Sequence, residues 1–166
     1  MELTLALIKP HVVRHSIAFR NITNLIKENF TILDAKEVYI TNQISERLYG
    51  EHSGKFFYNR LTTFITSGPC FALILQSKDC IAKWRTLMGP TKVYKTVYTN
   101  PDSIRGMYGL SDTRNACHGS DSEESALREI SILFPDFHKD FVINLSVNNC
   151  SRILKRLKNY CRCRKL

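Results

Sequence analysis

The sequence predicts an α+β domain, an antiparallel sheet with helices packed against one side of it. Three observations carry this. Apolar runs of strand length recur at 3–8 ("LTLALI"), 70–75 ("CFALIL") and 141–147 ("FVINLSV"), and 31–40 alternates as a half-buried strand does. Between them lie stretches with apolar residues three and four apart, the period of an amphipathic helix. Strands and helices mix without the strict alternation that builds a parallel sheet. With 166 residues, 43% hydrophobic and 23% charged, the chain fits one globular domain with a real core.

The first run ends at Lys9-Pro10 and reads as a buried strand. Ala18, Ile22, Leu25 and Ile26 then share one face of a helix over 16–29, and 31–40 returns as the second strand. Ser45 is the candidate cap of a short helix to Tyr49. Phe57, Leu61, Phe64 and Ile65 form an i, i+4, i+7, i+8 stripe, hence another helix, which Ser67-Gly68-Pro69 breaks before the third strand. Asp79 is the candidate cap of a helix to Met88. Residues 89–111 hold Gly89-Pro90, Asn100-Pro101 and Gly106 and show no period, which predicts a long loop of functional kind. Ser120-x-x-Glu123 has the form of a capping box, and Ala126, Ile130, Leu133 and Phe134 give the next helix its apolar face. The run 141–147 is expected to be the fourth strand.

The net charge of +9 is concentrated at one end. Residues 151–166 carry seven bases and no acid, which leaves 17 bases against 15 acids in the body. Ile153, Leu154, Leu157 and Tyr160 share a side there, so the tail reads as a basic amphipathic helix suited to a polyanion or a protein partner. No apolar run is long enough to cross a membrane. The N-terminus has neither a basic signal leader nor a clear transit peptide. The six cysteines lack metal-type C-x-x-C pairing and read as reduced thiols of an intracellular protein, cytoplasmic by default.

The most informative stretch is "RNACHGSDSEESALREI", residues 114–130. It sets His118 just ahead of a helix start, where backbone N–H groups and the helix dipole favour an anion such as phosphate. A neutral imidazole there can attack phosphorus if its other nitrogen is held by an acceptor. Glu129, on the following helix, is placed to be that acceptor. From spacing alone, His118 reads first as a polar residue flanking a helix. Lys9, a charge directly after a buried strand, and Arg85, Arg105 and Arg114, on or beside the long loop, are cations that could converge on nucleotide phosphates. Neither a P-loop nor a kinase-type glycine loop is present.

"ALIKP", "FITSGP", "WRTLMGPT", "SIRG" and above all "RNACHGSDSEESALREI" resemble, in order, the signature segments of nucleoside diphosphate kinases. "NPDSIRGMYGLSDTRN" and "FPDF" further resemble the divergent type-six branch of that family. The resemblance implies a ferredoxin-like α+β sandwich, with a four-stranded antiparallel sheet and helices packed on it. It implies ping-pong transfer of a γ-phosphate from nucleoside triphosphates, ATP among them, to nucleoside diphosphates, with Mg²⁺. His118 is then the phosphorylated residue and Glu129 the residue that orients it. Lys9 and Tyr49 join them at the reacting end. Asn115 serves the ribose, while Arg85, Thr91 and Arg105 serve the phosphates. Phe57 is the ring on which the base stacks, with Leu61 beside it. Ser120 completes the network, and Asp121 holds a magnesium-bound water. A flat apolar base site with few polar readers should accept purines and pyrimidines alike.

Three departures from the family pattern stand out. His11-Val12 follows Lys9-Pro10 where Asp-Gly is usual, and His11 is read as a packing or surface change. The segment between Thr91 and Arg105 is lengthened, which bears on the nucleotide site and on any homo-oligomer. The family-like domain spans 1–141, and 142–166 is a divergent basic extension. The branch resemblance also makes a mitochondrial location an alternative. The rival functional reading is a low-activity nucleotide-binding or scaffold protein on the same fold, acting through a protein or nucleic-acid partner.

Overall fold

The computed structural model describes residues 1–137, and a four-stranded sheet runs through their middle. Its strands are β1 (Glu2–Ile8), β2 (Thr31–Tyr39), β3 (Pro69–Ser77) and β4 (Cys117–Gly119). They lie in the order β2-β3-β1-β4, and every neighbouring pair is antiparallel. The helices are α1 (Pro10–Val13), α2 (Ser16–Asn29), α3 (Asn42–Tyr49), α4 (Tyr58–Ile65), α5 (Cys80–Met88), α6 (Val93–Thr99), α7 (Ile104–Tyr108) and α8 (Glu123–Leu133).

The central strands are apolar on both faces because both faces are covered, not one as expected from the sequence. Leu3, Leu5 and Leu7 of β1 pack with Leu48 of α3, Ile65 of α4 and Ile130 and Leu133 of α8. Ala6 and Ile8 turn the other way, into a cluster with Phe19, Ile22 and Ile26 of α2 and Trp84 and Met88 of α5. An unbroken apolar run is what burial on both faces requires.

The fourth described strand is Cys117–Gly119, three residues that pair with the free edge of β1. It is not the run 141–147, which lies outside the described residues, as do the extension 142–166 and its expected helix. His118 therefore sits on a strand opposite Leu7, not in a polar turn against a helix end. The expected loop over 89–111 contains α6 and α7. The α6 sequence "VYKTVYT" is all β-branched and aromatic apart from its lysine, so propensity opposed a helix. Tertiary contacts supply what propensity lacks: Asp112 Oδ1 accepts from Val93 N at 3.0 Å, and Thr96 Oγ1 donates to Pro90 O at 3.0 Å.

Three caps also differ from the expected ones. Thr41, not Ser45, caps α3. Asp79 precedes α5 in a left-handed conformation (φ 50°) and makes no side-chain cap, so Glu2 Oε2 accepts from Ile81 N instead, at 2.9 Å. Ser122 caps α8 through Ser125 N, which frees Ser120 for the site below.

β4 is held against α5 as well as β1. Trp84 is fully buried, and its Nε1 donates to His118 O at 3.3 Å. Its ring lies so close to Gly119 that a Cβ there would collide with Cδ1 and Nε1 of the indole. Gly119→Ala is therefore expected to overpack this contact and lower the Tm by about 3–10 °C in calorimetry. An unchanged Tm would show that the indole can move aside and does not fix the strand.

Candidate active site

The carboxyl end of β1, the segment joining α3 to α4, the ends of α5 and α7, β4 and α8 enclose one cleft of about 420 Å³. Lys9, Tyr49, Phe57, Leu61, Arg85, Thr91, Arg105, Asn115, His118, Asp121 and Glu129 all line it. Residues up to 120 positions apart in sequence thus meet in one cavity. Arg114 does not join them, because its guanidinium lies over the Phe64 ring, 5.6 Å from the centroid. His11 packs on the same ring at 5.5 Å, which bears out the packing role read for it.

His118 has a 22% exposed side chain, and its Nε2 lies 3.0 Å from Glu129 Oε1. A carboxylate accepts only, so Nε2 carries the proton and Nδ1 keeps the lone pair. Glu129 is itself fixed: Ser120 Oγ donates to Oε2 at 2.7 Å and accepts from Leu5 N at 3.3 Å. Burial pushes the Glu129 carboxyl up, but His118, the Ser120 hydroxyl and Arg128 together hold it below the usual carboxylate range. The carboxylate therefore stays ionised at neutral pH. Ala116, just before β4, has φ 69°, a left-handed conformation costly for alanine, and its carbonyl accepts from Lys9 N at 3.0 Å.

Lys9 is 3% exposed. Its Nζ donates to Asn115 Oδ1 at 2.7 Å and Thr113 O at 3.1 Å. Burial, helped by nearby Arg105, lowers its pKa to about 8. Arg105 is also buried, and most of its donors are engaged: Nε with Asn115 O, Nη1 with Gly89 O and Thr91 Oγ1, Nη2 with Cys117 O. It ties the loops around β4 together as well as placing a positive charge on the cleft wall. Arg85, by contrast, is exposed in the last turn of α5 and forms no ion pair among the described residues.

Tyr49 meets His118 edge-on, with ring centroids 5.6 Å apart at 84°. Its hydroxyl is buried and has no hydrogen-bond partner among the described residues. Phe57 and Leu61 are half-buried at the opposite end. Asp121 is exposed, and a hydrogen bond from Ser125 holds its carboxyl below the usual range. Cys117 also lines the cleft, but burial pushes its thiol up to about 11, so it is no rival nucleophile at neutral pH. Cys70, Cys80 and Cys117 are all free thiols.

The sequence reading missed a polar rim formed by Glu51, His52, Arg60, Lys92 and Asp112, together with the exposed ring of Phe56. The cleft is thus more polar than a flat apolar face with few readers. "YGEHSGKFF", residues 49–57, has no period and several polar groups between aromatics, and was the one available signal for part of that rim. No helix among the described residues is long and apolar enough to cross a membrane.

The comparisons with known proteins agree with this fold. The family model described as Nucleoside diphosphate kinase matches residues 2–138. The chain is 50% identical over 137 residues to Nucleoside diphosphate kinase 6 of Danio rerio, covering 82% of this chain and 78% of that one. Among solved structures, the nucleoside diphosphate kinase of Aquifex aeolicus superposes with a TM-score of 0.75 at 34% identity, over 80% of this chain and 94% of that one. A halophilic nucleoside diphosphate kinase from Halobacterium salinarum in complex with CDP gives a TM-score of 0.73 at 32% identity, over 86% and 96%. With its ferredoxin-like sandwich and a match running nearly the whole length of the described residues, the chain belongs to the nucleoside diphosphate kinase family.

Proposed function

We propose that the chain is an active nucleoside diphosphate kinase that works by ping-pong transfer through phospho-His118. The observation that carries this is the His118 Nε2 to Glu129 Oε1 contact of 3.0 Å, inside a cleft that also holds Lys9 and the arginines. Glu129 keeps the proton on Nε2 and so directs attack to Nδ1. In the first half-reaction the Nδ1 lone pair forms the bond to the γ-phosphorus of a nucleoside triphosphate. The bond from that phosphorus to the bridging oxygen breaks, and the diphosphate leaves with its electron pair. The second half-reaction is the same step reversed onto another diphosphate. Lys9, Arg85 and Arg105 offset charge on the phosphates, and Tyr49 offers its hydroxyl to an incoming oxygen.

No group of three or more His, Cys, Asp or Glu capable of holding a metal exists among the described residues. Mg²⁺ keeps several waters and is bound by one or two carboxylates plus substrate phosphates. Asp121 is the carboxylate that would hold it, through water. The ion supplies further charge neutralisation on the phosphate oxygens. The CDP in the Halobacterium salinarum structure supports a nucleoside diphosphate as the ligand of this cleft.

Incubation with γ-labelled ATP and Mg²⁺ tests the proposal. It should give an acid-labile label that unlabelled diphosphates remove. ADP, GDP, CDP and UDP should remove it with kcat/KM values that differ by modest factors. A base read through its hydrogen-bonding edge would instead separate them by ~10⁴-fold or more. Nucleotide binding without any label would favour the scaffold reading over the kinase.

A further inference from the structure

Phe57 stands at the end of the cleft away from His118, and the sequence neighbours that touch its ring, Lys55 and Phe56, are themselves exposed. It directly precedes α4, that helix has no side-chain cap, and neighbouring Phe56 is 83% exposed. Two rings meet it edge-on, exposed Phe56 at 5.5 Å and 87° and half-buried His52 at 5.5 Å and 68°, and Lys55 Nζ stands 5.9 Å from its centroid.

His52 ends the short 3-10 turn Gly50–His52 and is fixed by its surroundings. Its ring is nearly parallel to that of Tyr49, 21° and 6.5 Å between centroids. Lys55 Nζ stands 3.1 Å from Nδ1. An ammonium only donates, so Nδ1 accepts and Nε2 carries the proton of the neutral ring. Nε2 in turn lies 3.7 Å from Glu51 Oε1. The backbone closes the same turn, with Lys55 N donating to His52 O at 3.1 Å and Gly54 supplying the left-handed φ of 78°. With the Nδ1 lone pair taken by Lys55 and the proton on Nε2, His52 is not a second phosphate acceptor. Its neighbour Tyr49 meets His118 edge-on, so Phe57, His52, Tyr49 and His118 form a continuous row of rings along the cleft.

We propose that His52 is a positioning residue for the nucleobase: its ring, wedged between Tyr49 and Phe57, holds the Phe57 face at the angle on which a base stacks. This rests on the kinase reading for the orientation of the ligand, base at Phe57 and phosphate at His118. The ring itself does the work, because shape and edge-on contact set the angle of Phe57, while the Lys55 bond only selects the tautomer.

The test is calorimetric titration of the full chain with two probes, ADP and inorganic tripolyphosphate, which has phosphates and no base. His52→Ala is expected to weaken ADP binding about 3- to 10-fold, the worth of an edge-on aromatic pair, and to leave tripolyphosphate unaffected. His52→Phe keeps a ring, loses the Lys55 bond, and should restore ADP affinity to within about twofold. Equal losses for both probes would show that the alanine variant disturbs the cleft as a whole, and would overturn the proposal. So would a phenylalanine variant as weak as the alanine one, or a wild-type chain that binds no ADP. If tripolyphosphate binds too weakly to titrate, the ADP affinities of the two variants decide. The expected pattern in a chain that takes no label from ATP would sink the kinase reading and leave the role of His52 standing.

Discussion

His118→Ala is expected to take no label from γ-labelled ATP and to lose nucleotide exchange by about 10⁴-fold or more, since it removes the nucleophile outright. The geometry makes this the most demanding variant. Among the groups that line the cleft, the Cys117 thiol is held near 11 by burial and the Tyr49 hydroxyl is pushed above its ordinary value by burial. Neither is an ionised nucleophile at neutral pH. Glu129→Gln separates nucleophile from orienter. A glutamine carbonyl can still accept from Nε2, but the charge that stabilises an imidazole gaining positive character is gone. Its loss should be smaller, on the order of 10²-fold in kcat. Both rates come from a coupled exchange assay, and label position from mass spectrometry under alkaline conditions. Equal labelling of His118→Ala and wild type would remove His118 from the mechanism.

Much of this site was legible because its chemistry contradicts its local surroundings. A lysine directly after an apolar strand has no structural excuse, and Lys9 proves 97% buried against Asn115 and Thr113, being only 3% exposed. Glu129 follows His118 by eleven positions, which puts the carboxylate on the helix after the strand, and that contact forms. What was not legible depends on partners distant in sequence. Three residues, Cys117–Gly119, cannot announce a strand; they become one because the edge of β1 is there to pair with. Likewise α6 exists through Asp112, nineteen residues from Val93, and no local pattern could reveal it. Arg114, a candidate cation by its place beside the loop, lies over Phe64 instead, because sequence gives no direction to a side chain. The burial of both sheet faces was readable in the unbroken apolar run "CFALIL", which a sheet covered on one side would not need.

Lys9→Met is the second large effect, and it should appear in two measurements with different pH dependence. Lys9 places a buried ammonium at the phosphate end, so its loss is expected to lower kcat/KM by about 10²–10³-fold. In the wild type, kcat/KM of the free enzyme should fall as pH rises above about 8, where Lys9 loses its proton. Stability runs the opposite way. The folded pKa of about 8 lies below the ordinary 10.5, so between those values the unfolded chain binds more protons than the folded one. The cost of burying the charged lysine is therefore full below about pH 8 and is relieved as pH rises toward 10.5. Relative to Lys9→Met, the wild type should gain ~2 kcal/mol of unfolding free energy between about pH 7.5 and 10. The comparison cancels the groups that titrate there without interacting with Lys9. It also cancels the pH-independent cost of leaving Asn115 Oδ1 and Thr113 O without their donor. Urea unfolding of both proteins across that range measures it. Parallel curves would mean that Lys9 is not a charged group held against its burial, and the descending limb of the activity profile would need another source.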